Sequence, residues 1–227
     1  SFASLYDRRH GRFFVEQVNP SAAPSAMSIQ NATDSGWTRP DSVLVLDPRA
    51  NASAQSITAA YRGGAMLQGA DATRSRMLAS AIGRPVIHLS APVSANPNYP
   101  ALAAAQLSDE PGRKYSGRFL AREIAAQQLR DARVVIIEDV EGNSSHRGGG
   151  TLNVASAFLS AGVQAVVGTL PGADQDAVRE LMVGFHQGVA TGVSPAQALA
   201  QVQRNAIQQN GHRPGAWSAL VLYGSGR

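Results

Sequence analysis

The stretch GRFLAREIAAQQLRDARVVIIED, residues 117–139, carries two periodicities in succession. Over 117–129 the apolar side chains Phe119, Leu120, Ile124 and Leu129 recur at helical spacing with Arg122, Glu123 and Gln127 opposite them, which predicts an amphipathic helix. Val134, Val135, Ile136 and Ile137 then form a β-branched run of the kind found in a central strand covered on both faces. A helix feeding directly into such a strand is half of a βαβ unit.

The same alternation extends in both directions. Upstream, VLVL at 43–46 reads as a strand closed by Asp47 and Pro48, and PVIHLS at 85–90 as a second buried strand. Between them, ATRSRMLASAI at 72–82 places Met77, Leu78 and Ile82 on one helical stripe with Arg74 and Arg76 opposite, and Gly83 stops it. Downstream, LNVASAFLSAG at 152–162 predicts a helix ended by Gly162, and QAVVGTL at 164–170 another central strand. Asp174 caps a helix through Leu181 and Phe185, Ser194 and Pro195 open the last helix, and WSALVLYG at 217–224 closes the sheet. The reading is one α/β domain over 41–227 with a mainly parallel sheet.

Residues 1–40 differ. They join a basic opening (Arg8, Arg9, His10, Arg12) to a stretch rich in Pro, Ser, Ala and Asn at 19–36, so they read as an N-terminal arm or extension packed on something else. Within it, RFFVEQV at 12–18 reads as one strand. No repeat of solenoid period is present.

At 227 residues and 44% hydrophobic against 16% charged, the chain buries a core without staples. It has no cysteine, which excludes cysteine peptidases, dithiol redox proteins, disulfide scaffolds and Cys-ligated zinc or iron–sulfur sites. Lys plus Arg number 20 against 16 acids, and only Lys114 is a lysine, so guanidinium groups set the high pI. Those cations form no stripe with interleaved aromatics, so no nucleic-acid partner is expected. No apolar run reaches the ~18 residues of a membrane-spanning helix. The sequence opens at Ser1 without a methionine and reads as a fragment or processed product; the cytoplasm is favoured, with an exported location left open.

The order of the segments resembles the CHAT domains, caspase-like peptidase domains often attached to tetratricopeptide repeats. LQGADATRSRML from Leu67 is similar to their stretch before the first helix, and VIHLS to the strand that delivers their catalytic histidine. FLAREIAAQQLRDARVVII resembles their L-T-A-R-E-I-A-A run into the cysteine strand. ASAFLSAGVQAVVGTL, GVSPAQAL and RPGAWSALVLYG resemble the segments that follow. The resemblance implies a three-layer α/β/α caspase-like sandwich with a mainly parallel central sheet. It also implies where the catalytic pair would stand. In H-x-A-T-H-G the second histidine is catalytic, and the matching residues here run from His88 to Val93, with Pro92 in the base position. In S-A-C-E-T-G the matching residues run from Glu138 to Asn143, with Val140 in the nucleophile position. Neither Pro92 nor Val140 titrates or attacks a carbonyl, so the implied member is a pseudopeptidase that acts as a protein-interaction or scaffold module, bacterial, with a protein or peptide partner and no cofactor.

Ligands of open α/β sheets bind beyond the carboxyl ends of the strands, so the loops after His88 and after Glu138 are the places to look. His88 matches the non-catalytic histidine of the first motif and is expected in the core. As a surviving base it would need Ser90, Ser94, Ser144 or Ser145 as nucleophile, and none sits in a nucleophile elbow. Glu138, Asp139 and Glu141 put three carboxylates within four residues, the composition of a Mg²⁺ or Ca²⁺ site, of acid/base chemistry, or of a solvated loop. The expected binding cleft therefore comprises His88, Ser90, Glu138, Asp139 and Glu141, with no metal assigned, and the competing function is a hydrolase using Ser/His or these carboxylates. SHRGGG at 145–150 could cradle phosphate at a helix start but lacks the P-loop ending. Trp37 and Trp217 read as packing residues, and Asn31 and Asn51 open glycosylation triplets that occur readily by chance.

Overall fold

The computed structural model describes residues 1–24, 36–51, 53–110, 112, 117–140, 149–210 and 213–226. Six strands form the central sheet: β1 (Ser42–Asp47), β2 (Gly63–Gln68), β3 (Val86–Ser90), β4 (Val134–Glu138), β5 (Ala165–Thr169) and β6 (Leu220–Gly224). Their order is β6-β5-β4-β3-β1-β2. All neighbours are parallel except β6, which runs antiparallel to β5. The long helices are α1 (Ser53–Ala59), α2 (Arg74–Ser80), α3 (Ala121–Ala125), α4 (Gly150–Ser160), α5 (Gln175–Ala190) and α6 (Pro195–Asn210).

The β-branched runs lie where their chemistry puts them. β3 and β4 are buried at every position, as central parallel strands covered on both faces must be. On one face Leu44, Ile87, Val135 and Val166 pack against Met77 of α2, Ile124 of α3 and Phe158 of α4. On the other, Val45, Val86, Val134 and Val167 pack against Ile57 of α1 and Val178, Met182 and Phe185 of α5, with Leu199 of α6. Each fully buried aliphatic side chain contributes about 1.5–3 kcal/mol, so the two layers hold the sheet independently of the loops. This is the mainly parallel sheet that the alternation predicts, in the three-layer sandwich that the resemblance implies.

Local details differ from expectation. The segment 12–18 is not one strand: Arg12–Phe13 pairs with Tyr6–Asp7, and Phe14–Gln17 coils into a helical turn started by the Glu16 carboxylate accepting from Phe13 N–H. The segment 117–129 is not one helix either. Arg118–Leu120 is extended and joins Ala104–Gln106 and Val93–Ser94 in a small antiparallel sheet, and only Ala121–Ala125 is helical. Ile82 does not join the inward stripe of Met77; it lies beyond the end of α2 and is 78% exposed. Gly83 (φ +69°) and Gly162 (φ +101°) do turn the chain just past α2 and α4 in the left-handed region that favours glycine.

Residues 1–24 lie against α6 and β6. Phe13 meets Trp217 edge-on at 4.7 Å, and Arg204 of α6 donates to the carbonyls of Val15 (2.7 Å) and Val18 (3.2 Å). Ala22 then bridges the outer edge of β6, donating to Leu222 and accepting from Gly224.

Candidate functional site

The carboxyl ends of the strands end on polar residues. Gln68 closes β2, Asp47 β1, Ser90 β3, Glu138 β4 and Thr169 β5. Register sets Asp47 beside Gln68 and Ser90 beside Glu138. Gln68, Asp47, Glu138 and Thr169 each follow, at a two-residue step, an apolar residue of the face covered by α1 and α5, and Ser90 follows His88, which bonds His186 of α5, so alternation sends all five side chains to that face. The result is a polar row at the lip of an otherwise apolar layer.

Within the row the bonding is continuous. Asp47, fully buried, gathers N–H donors from Arg49 and Asn51, from the Asn51 amide at 3.1 Å and from Gln68 at 3.5 Å. Asn51 also donates to Ser90 Oγ at 3.2 Å, and the Ser90 hydroxyl in turn serves the Glu138 carboxylate. The side-chain amide of Asn51 is thus committed on both hydrogens, which does not suit a glycan acceptor.

From Glu138 a second chain runs into the core. Its Oε2 lies 3.1 Å from His88 Nε2; His88 Nδ1 lies 3.0 Å from His186 Nε2; His186 Nδ1 lies 2.9 Å from the Tyr61 hydroxyl. Both histidines are fully buried. Burial pushes the Glu138 carboxyl up, but the hydrogen bond and charge of His88, helped by Ser90 and by the charge of Arg179, outweigh it and hold the group below the ordinary carboxylate value. Burial, and next the charge of His88, holds His186 well below the ordinary imidazole value, so His186 is neutral. Burial also pushes the Tyr61 phenol up, so it keeps its proton. With Glu138 ionised, His88 gives it the Nε2 hydrogen. With the Nδ1 side accepting from His186 and Tyr61 donating behind it, every atom of the chain is satisfied.

The two loops that follow are tied together. Ala91 N–H donates to the Glu138 carbonyl at 3.0 Å, and Val93 N–H to the Asp139 carboxylate at 3.1 Å. Asp139 is itself pinned, its N–H donating to Thr169 Oγ1 and its carbonyl accepting from Gln175 at the start of α5. Pro92, between Ala91 and Val93, and Val140, after Asp139, therefore occupy adjacent loops at the ends of β3 and β4, both partly buried.

Of the residues singled out from sequence, His88, Ser90 and Glu138 come together. Asp139 does not join them: it follows Glu138 in the strand direction, and its carboxylate serves the backbone of Val93 instead. Glu141, Ser144 and Ser145 lie outside the described residues, as does the glycosylation triplet at Asn31. Ser94 is exposed and, among the described residues, reaches the Ala104 carbonyl. The phosphate-cradle reading of 145–150 is answered only at its end, where α4 begins at Gly150 rather than at Leu152. A Cβ there would stand 3.1 Å from Ala95 N, so this helix start abuts protein backbone. Among the described residues no group of three or more His, Asp or Glu is placed to hold a metal ion.

Tyr61, His186 and Asn51 were not anticipated. His186 had a readable signal, because it falls four residues after Met182 on the buried stripe of α5, where a polar residue needs a partner. Trp217 is wholly buried as expected, whereas Trp37 is only partly buried and lies under the Arg133 guanidinium at 4.5 Å.

No curated protein sequence matches the chain. Among solved structures it is similar to separase in the Saccharomyces cerevisiae separase–securin complex, with a TM-score of 0.55 and 13% identity, over 90% of this chain and 14% of that one. The likeness is one of fold, and the chain spans about a seventh of that protein. A model of the CHAT domain matches residues 1–225, so the chain belongs to the CHAT domain family.

Proposed function

We propose that this chain is a CHAT domain that does not cleave peptides and serves instead as a protein-interaction or scaffold module. The observation that carries the reading is chemical. A chain without cysteine places Pro92 and Val140 in the adjoining loops where the family resemblance puts base and nucleophile. A thiolate peptidase needs a nucleophile whose pKa an imidazole lowers, and neither side chain can take part. The order of bonding also counts against a repurposed serine hydrolase. Ser90 is buried and its hydroxyl faces Glu138 and Asn51, while His88 has both ring nitrogens engaged, with Glu138 and His186. The Ser–His–acid sequence of contacts that activates a hydroxyl is absent at Ser90.

A protein or peptide partner suits what remains. The small antiparallel sheet lies at the mouth of the two loops, and adding a strand to such a sheet captures extended peptides without any catalytic group. Residues 1–24, packed on α6 and β6 but leaving Phe2, Leu5 and Tyr6 exposed, offer a second contact region. The structural neighbour was solved as a complex with another protein, in line with protein partners for this fold.

Turnover of generic ester, peptide and phosphoester substrates tests the proposal, with wild type compared to His88→Ala and Glu138→Gln. Wild type is expected to turn over none above buffer. Turnover that vanishes in either variant would replace the reading with the hydrolase.

A further inference from the structure

The two edges of the central sheet are treated differently. The outer edge of β6 is capped by the chain's own Ala22, through two backbone hydrogen bonds of 2.8 and 2.9 Å. The outer edge of β2 has no such cover: all six of its residues pair inward with β1, and among the described residues no strand or backbone group pairs with it from outside. Natural edge strands are blunted by lysine, proline, a bulge or brevity. β2 has the sequence GGAMLQ, without charge or proline, and keeps register with β1 along its whole length.

Its side chains are also incompletely covered. Ala65 and Leu67 are partly buried against one core layer and Met66 against the other, so both layers run out to this edge. We infer that the β2 edge pairs antiparallel with the β2 edge of a second copy of this chain, about a two-fold axis normal to the sheet, continuing the sheet from one copy into the next.

The symmetry limits the register. A two-fold normal to the sheet keeps each face on its own side, so the axis must pass through a residue paired with itself. Centred on Met66, the register sets Met66 against its own copy on one face and Leu67 against Ala65 of the second copy on the other, apolar against apolar, with Gln68 opposite Gly64 at each end. Just past the strand, exposed Arg62 comes up to the Gly69–Asp71 turn of the second copy, where the exposed Asp71 already holds Arg76, so a guanidinium meets that ion pair at both ends of the pairing. Centring on Ala65 instead opposes Leu67 and Met66 to glycines and moves Arg62 to Gln68, losing both gains. The surface shares only Gln68 with the strand-end polar row, so its fate does not depend on whether that site is catalytic.

Sedimentation equilibrium of the full chain tests this, beside Ala65→Lys, which adds the edge lysine that nature uses, and Arg62→Glu, an exposed change that leaves the fold alone. An edge of this size buries less than the ~1,200 Å² of a standard interface, so a reversible dimer with a midpoint on the order of 10–100 µM is expected. Ala65→Lys should weaken it by at least about tenfold and Arg62→Glu by about threefold. Thermal melts at low concentration report whether each variant is folded. A chain that stays monomeric to about 1 mM, or a dimer indifferent to Arg62→Glu and to a folded Ala65→Lys, overturns the inference.

Discussion

On one face of the central sheet Leu44, Ile87, Val135 and Val166 meet Ile124 and Phe158 in an apolar cluster, whereas on the other the same strands present His88 and Glu138 to His186 of α5 and Tyr61. The first face is held by area and shape. Many helix positions over it would bury nearly as much, and packing selects among them. The second face adds direction, because only one rotation and one height of α5 set His186 between the ring of His88 and the hydroxyl of Tyr61. Buried polar groups of this kind contribute little net stability, since an apolar set of the same shape often does as well, but breaking one contact strands its partners. Apolar packing on both faces supplies the stability, and the polar chain on the second face fixes how that layer sits.

Three measurements bear on this contrast. The largest effect belongs to the apolar face: Phe158→Ala leaves a cavity in a fully buried site and should cost about 3–5 kcal/mol by denaturant unfolding. A loss under about 1 kcal/mol would show that the layer repacks freely.

The second is acidification, which acts on the polar face and not on the apolar one. His186 is held below its unfolded value of 6.5, so below that pH the unfolded chain binds the proton that the folded chain refuses. Glu138 is held below 4.5, so the folded chain again resists a proton that the unfolded chain takes up as pH falls through that value. Both signs agree: stability present at neutral pH is lost downward, His186 first, at up to ~1.4 kcal/mol per pH unit per group. Chemical denaturation between pH 7 and pH 5 should show the decline in wild type and in Phe158→Ala alike. His186→Phe should flatten it, and an unchanged slope would remove the histidine from the account.

The smallest is Tyr61→Phe, which deletes one hydroxyl from the end of the chain. A single lost hydrogen bond that leaves a neutral imidazole unpartnered should cost about 1 kcal/mol, with the pH slope retained. No change in unfolding midpoint would mean that the phenol only fills space.

Much of the fold was legible before any coordinates, for identifiable reasons. β3, β4 and β5 are β-branched runs, and Asp174 caps α5 through its side chain as its type and place suggest. β2 was not legible, because GGAMLQ has two glycines, an alanine and no β-branched residue; it is a strand only because β1 offers it a full ladder. The 117–129 segment misled for the converse reason. Its helical spacing is real, but Arg118–Leu120 gains more by pairing with Ala104–Gln106 than by coiling. Ile82 misled because the helical spacing runs on past Ser80, where α2 ends ahead of the turn at Gly83.

For the site, local sequence placed His88, Ser90 and Glu138 at strand ends, since strand length and the rule for α/β sheets are local facts. It also supplied the absence of cysteine and the identities of Pro92 and Val140, which no folding can alter. What only the tertiary structure decided is which of these groups share hydrogen bonds. Tyr61 and His186 stand 125 positions apart, and His88 and Glu138 stand 50 apart. Such pairings depend on strand order and helix rotation, which are settled by the packing of whole layers, and a hydrogen bond is too short-ranged to leave a trace in the spacing along the chain.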